Sequence, residues 1–275
     1  MIKLSCLPVS LYGKFITGKR TLIPWARQLS SYGLDGMDIS PYMLGNAITD
    51  DAIESIKKDL VNIGLPVAMY VTYSDFTNPI IPISMELTAL ELQFKRASLL
   101  GAELIRITAG QEYPNLSREW VEVRLAPVFE EIAHLSNIFG VRAVLENHGK
   151  PKNWKYRDYT ADRDNFLSLL PLLGNIGINF DTANPVINGY ETLDLLQLVY
   201  DRVVSVHAAD TAEYGVSKPV IVGKGLVPMR NVVRSLHEID FSGWMCIEEA
   251  SGMGDFGIEQ SVITIQEFIR EEFGY

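Results

Sequence analysis

Cysteine is scarce in this chain: only Cys6 and Cys246 occur among 275 residues. Both lie in apolar stretches that read as strands, so they are expected as buried, reduced thiols. No apolar run reaches membrane-spanning length. No secretory signal is read at the start, because Met1-Ile2-Lys3-Leu4 runs straight into a strand pattern with no small-residue cleavage site after it. The expected location is the cytoplasm. Positive charge is also thin. The net charge is −10, and the densest basic stretches, Lys150 to Arg157 and Lys57-Lys58, are short. Such a surface repels phosphate backbones, so neither nucleic acid nor a membrane is an expected partner. No Gly-x-Gly-x-x-Gly follows an early strand, which argues against a dinucleotide-binding sheet. Disorder is excluded by the apolar content of 47%, enough for a full core.

What is present is a repeating unit. A helix-period apolar segment ends in Gly, and an apolar strand starts just after. Gly33, Gly64, Gly101, Gly140 and Gly174 mark this junction at intervals of 31, 37, 39 and 34 residues. A left-handed residue past a helix turns the chain back, and Gly adopts it without steric cost. The strands that follow are Leu34 to Ile39, Leu65 to Met69, Ala102 to Ile107, Val141 to Leu145 and Ile176 to Phe180. Ile2 to Cys6, Arg202 to His207 and Trp244 to Ile247 complete eight. Helical patterns include Asp51 to Ile63, Ser84 to Leu100, Ser117 to Phe139, Arg163 to Leu173, Glu191 to Tyr200 and Gly257 to Glu271. Strict alternation means a parallel sheet, and eight units favour closure into an α/β barrel of the (β/α)8, or TIM, type. The stretch from Asn78 to Pro82 reads as a loop rather than a linker, so a single domain over residues 1–275 is expected.

In a barrel the chemistry sits at the C-terminal ends of the strands. There strand five delivers Glu146, strand six Asp181, strand seven His207 and strand eight Glu248. Side chains alternate between the faces of a strand. Leu145, Ile178, Phe180, Val204, Val206, Met245 and Ile247 fit the apolar outward face. The opposite parity points Glu146, Asp181, His207 and Glu248 into the barrel, with His148 one step nearer the mouth than Glu146. Three crowded carboxylates repel unless a cation neutralises them. Their oxygen and imidazole donors suit one divalent ion: Mn2+, Mg2+, Co2+ or Zn2+.

At these residues the chain resembles the xylose-isomerase-like barrel superfamily, whose members include sugar-phosphate isomerases and epimerases, ketose 3-epimerases, inosose dehydratases and apurinic endonucleases. The resemblance spans essentially the whole chain. It rests on Leu145-Glu146-Asn147-His148, Asn179-Phe180-Asp181-Thr182, Val206-His207-Ala208-Ala209-Asp210, Gly223-Lys224-Gly225 and Gly243-Trp244-Met245-Cys246-Ile247-Glu248. It implies that Glu146, Asp181, His207 and Glu248 hold one divalent metal. It also implies that Glu146 and Glu248 act as a paired acid and base on opposite sides of a substrate carbon. Ketose 3-epimerases of this group typically carry a His three residues after the strand-six Asp. That position here is Asn184, which can hydrogen-bond a substrate oxygen without charge. The endonuclease branch needs several further His ligands, whereas this chain has only His134, His148, His207 and His237.

These residues also have plainer readings. His148 is a substrate contact or a loop residue. Gly223-Lys224-Gly225 is a tight turn, or it offers backbone and Lys224 to an anionic group. Trp25, Tyr70 and Trp154 line the mouth or belong to the core. Asp38 and Arg106 point inward and can pair or touch substrate. The leading expectation is a metal-dependent isomerase or epimerase of a small polyhydroxylated, sugar-like carbonyl substrate, phosphorylated or not. Its substrate contacts would be His148, Asn184 and Lys224. The alternative is a dehydratase of a cyclic polyol ketone. A non-catalytic sugar-binding barrel is the third reading, and the retained set of four ligand types argues against it.

Overall fold

A computed structural model describes residues 2–45 and 49–274. Its strands are β1 Lys3–Leu7, β2 Met37–Ile39, β3 Val67–Val71, β4 Leu104–Ile107, β5 Arg142–Glu146, β6 Gly177–Asp181, β7 Val203–Ala208 and β8 Trp244–Glu248. Between and after them run α1 Tyr12–Ile16, α2 Leu22–Leu29, α3 Asp50–Ile63, α4 Ile83–Leu100, α5 Arg118–Phe139, α6 Arg163–Leu169, α7 Ala183–Ile187, α8 Thr192–Val199, α9 Met229–Glu238 and α10 Asp255–Phe273. The eight strands form one parallel sheet in the order β1-β8-β7-β6-β5-β4-β3-β2. The remaining seam is bridged where the Asp35 and Gly36 amides donate to the Leu4 carbonyl at 2.8 and 3.1 Å. The result is a nearly closed (β/α)8 barrel.

Local sequence explains the elements. Gly33, Gly64, Gly101, Gly140 and Gly174 all take positive φ, between 54° and 84°, as the junction pattern predicts. Thr49, Ser117 and Asp162 cap α3, α5 and α6 by accepting hydrogen bonds from first-turn amides. Outward strand residues such as Leu145, Ile178, Phe180, Val206, Met245 and Ile247 join the helices in the main core. Leu7, Met69, Val71, Leu104, Val144, Trp244 and Cys246 fill the barrel interior. Cys6 and Cys246 are buried free thiols.

One expectation needs correction. Val204 does not pack outward. The ladder slips between Ile178↔Val203 and Asn179↔Ser205. Val204 is the extra residue and packs on the interior cluster, while Val203 takes the outward place. Trp25 and Tyr70, read as mouth walls or core, are core side chains. Trp25 meets Phe15 edge-on at 5.5 Å, and Tyr70 sends its hydroxyl to Gln93 Oε1 at 3.0 Å. Trp154 is half-buried in the loop after β5.

Candidate functional site

The last inward positions of β5, β6, β7 and β8 converge. One donor atom from each of Glu146, Asp181, His207 and Glu248 lies within 4.8 Å of all the others. Two register facts produce this. Asp181 sits opposite His207 in the β6–β7 ladder. His207 in turn sits opposite Cys246, two residues before Glu248. The slip at Val204 matters here. Had the register set at Ile178↔Val203 run on without the slip, Val206 would face Asp181 and His207 would point out into the helices.

His207 organises the cluster. Its Nδ1 lies 2.9 Å from Glu146 Oε1 and 2.6 Å from Glu248 Oε2. One ring nitrogen carries one proton or one lone pair, so two carboxylate oxygens at that distance mark a point where a cation fits. On the far side of the ring, Nε2 is 3.6 Å from Asp38 Oδ2. Asp38 is itself fixed by Ser5, whose hydroxyl donates to Oδ1 at 2.7 Å. A carboxylate behind an imidazole sets which nitrogen is free to bind metal. Asp38 Oδ2, His207 Nε2 and Glu146 Oε2 are buried without an aligned hydrogen bond.

The other two carboxylates are held differently. Asp181 is gripped at its backbone by Asn147, whose Oδ1 accepts the Asp181 amide at 2.7 Å and whose Nδ2 donates to the Asp181 carbonyl at 2.9 Å. Its Oδ1 accepts the amides of Ala183 and Asn184 at 2.9 and 2.6 Å. Glu146 Oε2 lies 3.1 Å from Arg106 Nε. The Arg106 guanidinium also rests over the Tyr73 ring, 4.4 Å from its centroid. Glu248 is the member open to the mouth, with its side chain 22% exposed against 1% for Glu146.

The electrostatics follow from this packing. Burial would raise Glu146, but Arg106, then His207, outweigh it and hold its carboxyl well below the usual range. Burial, then the charges of Glu248 and Glu146, pushes Asp181 well above its ordinary value. Burial disfavours the His207 imidazolium, yet Glu146 and Glu248 prevail and raise it well above the ordinary value. The crowded carboxylates therefore draw protons onto Asp181 and His207. A divalent cation would supply that positive charge instead, so the residues present fit one.

The remaining candidates divide. His148 lies beside the cluster, its ring edge-on to Tyr73 at 5.7 Å, and burial lowers its pKa to about 4 against the pull of Glu146. Asn184 turns its amide toward the loop after β5, so that a Cβ on Gly149 would lie 2.5 Å from its Oδ1. Lys224 is exposed, and no hydrogen bond or ion pair among the described residues ties its amine to the cluster. The amides of Gly223 and Gly225 donate to Asp210 Oδ2 at 2.9 and 2.8 Å, which is the plain structural role of that turn. Three residues near the site were not singled out from sequence. Tyr73 has a signal, inward parity two residues past Val71. Tyr12 enters from α1, and Asp158 folds back from the long loop after β5 to put Oδ2 4.0 Å from His148 Nδ1. Neither carries a local sequence signal.

An eight-stranded barrel with a carboxylate-rich cluster at its mouth is the setting for the comparisons with known proteins. The sequence profile of the xylose isomerase-like TIM barrel family matches residues 26–271, and the chain belongs to that family. A comparison with curated proteins finds no match. Similar solved structures include the IolI protein with a binding zinc atom, 14% identical over all of both chains with a TM-score of 0.79. Another is the probable 3-DHS dehydratase AsbF from Bacillus anthracis, involved in petrobactin synthesis. It is 14% identical over 97% of this chain and 99% of that one, with a TM-score of 0.77. A third is a D-psicose 3-epimerase in the presence of D-fructose, 15% identical over all of both chains with a TM-score of 0.74. At these identities the likeness establishes the fold.

Proposed function

We propose that this chain is a divalent-metal-dependent isomerase or epimerase that moves a proton beside the carbonyl of a small polyhydroxylated substrate. The observation that carries this reading is the meeting of Glu146 and Glu248 at one imidazole nitrogen, with Asp181 completing the set. Glu146, Asp181, His207 and Glu248 are the proposed metal ligands. When bound, the cation would polarise substrate carbonyl and hydroxyl oxygens and acidify the neighbouring C–H. Glu146, kept ionised by Arg106, takes the proton from one face of the carbon. Glu248 arrives from a strand three places around the barrel and returns a proton to the other face. His148 and Asn184 contact substrate oxygens. Lys224, exposed and untied to the cluster, is left out of the proposed contacts.

A second reading, a dehydratase, is favoured by Asn184, which stands where related ketose 3-epimerases carry His. One glutamate would then act as base and a hydroxyl would leave. Incubation with ketoses and inososes in D2O, read by proton NMR after removal of the metal, tests both. The epimerase places deuterium at the carbon beside the carbonyl. Glu146→Gln and Glu248→Gln, checked for retained metal, abolish net epimer formation and leave at most exchange on one face. Full turnover in either metal-replete variant would exclude the two-base route. Release of water with an unsaturated or dicarbonyl product would favour the dehydratase.

A further inference from the structure

Inside the barrel, behind the His207 ring, three donors of different chemistry meet. One carboxylate oxygen of Asp38, one ring nitrogen of His207 and Cys246 Sγ lie within 4.8 Å of one another. All three residues are fully buried. The strand register brings them together. Cys246 stands opposite Ser5 of β1 and opposite His207 of β7, and it packs in the barrel interior with Leu7 and Trp244. Ser5 in turn holds Asp38 of β2 through Oδ1 at 2.7 Å. Cys6, the other thiol, has the opposite parity. It lies opposite Ile247 and joins the core between sheet and helices.

Two of these donors have no hydrogen-bond partner. Asp38 Oδ2 and His207 Nε2 are both buried and unpaired. They face each other at 3.6 Å, which is too long for a hydrogen bond. It suits two ligands of one tetrahedral ion, because bonds of about 2.0–2.3 Å set neighbouring donors about 3.3–3.7 Å apart. Charge points the same way. Among the described residues, Arg106 and His207 are the buried basic groups. Arg106 faces Glu146, and His207 Nδ1 is already shared by Glu146 and Glu248. The buried Asp38 carboxylate therefore lacks a positive partner of its own, and a buried charge without one is costly. The donor set selects the ion. Three protein ligands drawn from thiolate, imidazole and carboxylate, with a fourth position open, form a common zinc arrangement. A thiolate disfavours Mg2+, Mn2+ and Ca2+, which prefer oxygen donors.

We propose that Asp38 Oδ2, His207 Nε2 and Cys246 Sγ form a second, inner site for a thiol-seeking divalent cation of the Zn2+ type. Binding releases the Cys246 thiol proton to solvent. When the strand-end site is filled as well, it also releases the remaining ring proton of His207, whose two nitrogens then each bind a cation. The inner ion acts as a clasp. The ladder order leaves the seam of the barrel between β1 and β2, and the ion ties β2 to β7 and β8 across it. This inference does not depend on the proton-transfer reading. Co2+ is the probe, because a thiolate ligand gives it a charge-transfer band in the near ultraviolet. One portion of protein is stripped with chelator and titrated with Co2+, and another is refolded from denaturant in its presence, so that slow entry cannot hide the site. The wild type should bind two equivalents and show the band. Cys246→Ser should bind one and lose the band, while Cys6→Ser should keep both. Asp181→Ala removes a strand-end ligand alone and should keep the band, so failure of the strand-end site leaves the inner one readable. Melting temperatures show which variants are folded, and should Cys246→Ser not fold, the wild type and Cys6→Ser decide. No band in the wild type after either loading, a band that persists in Cys246→Ser, or one lost in folded Cys6→Ser would overturn the proposal.

Discussion

Asp38 shows how a single residue reaches the chemistry without touching it. Its carboxylate lies behind the His207 ring, 3.6 Å from Nε2, and a Ser5 hydroxyl at 2.7 Å holds it there. That contact favours the tautomer whose Nδ1 is free to face Glu146 and Glu248. An amide at the same position keeps the shape but loses the charge that strengthens the imidazole as a donor. Asp38→Asn is expected to weaken divalent-metal affinity by about 10–100-fold. Competition against a chelator of known affinity measures this, with the melting temperature confirming that the variant is folded. Unchanged affinity would remove Asp38 from the metal site. Asp38 and Arg106 were legible from sequence only as inward-pointing residues. Their roles depend on distances across the barrel, to strands seven and five, that no local pattern records. Glu146, Asp181, His207 and Glu248 were legible because each ends its own strand on the same parity, and parity is a local property.

At the scale of elements, the slip in the β6–β7 ladder does more for the site than any helix. Val204 is the added residue, and its side chain turns into the barrel beside Gly177. A Cβ on Gly177 would lie 2.3 Å from Val204 Cγ2 and 3.4 Å from Val144 Cγ1. Glycine is what lets β6 accept the bulge. Strict alternation misplaced Val204 because a bulge has no sequence period of its own. The placement of His207 survived because the slip lies before it. Helix α9 is legible as a helical pattern around His237, without bounds, and its buried Met229, Val232, Val233 and Leu236 keep helical spacing. The Gly- and Pro-containing approach from Gly223 to Pro228 reads as loop. Gly177→Ala should destabilise the fold by about 1–3 kcal/mol, the usual range for an overpacked core. For a chain of this size each kcal/mol lowers Tm by roughly 2–4 °C. Val204→Ala in the same chain removes the clashing methyls, so the double variant should lose less stability than the two single losses added together. Strict additivity in that cycle would show that the two residues do not press on each other.

The whole molecule carries a net charge of −10, and part of that excess is concentrated where four strands end. Protons and a cation compete for it, and the sign of the competition is fixed. In the metal-free protein His207 is raised by Glu146 and Glu248 once burial is overcome. Its folded pKa then lies above the unfolded value of about 6.5. The stability it contributes is full below that value and is lost as pH rises through the folded pKa. Asp181, raised by burial and by Glu248 and Glu146, has the same sign. The metal-free barrel therefore weakens as these protons leave. The metal-bound barrel behaves in the opposite sense, because a cation binds only after the protons are gone. Its stabilisation grows with affinity, reaching about 2.7 kcal/mol at a metal concentration 100 times Kd. The gap in Tm between metal-loaded and chelator-treated protein is accordingly expected to widen from about pH 6 to about pH 8, the range in which His207 would ordinarily have lost its proton. Thermal melts at a fixed excess of Mn2+ or Zn2+, paired with melts in chelator at each pH, measure it. Asp181→Ala combined with His207→Ala should close the gap at every pH. A gap that narrows as pH rises, or that persists in the double variant, would place the metal somewhere other than these four strand ends.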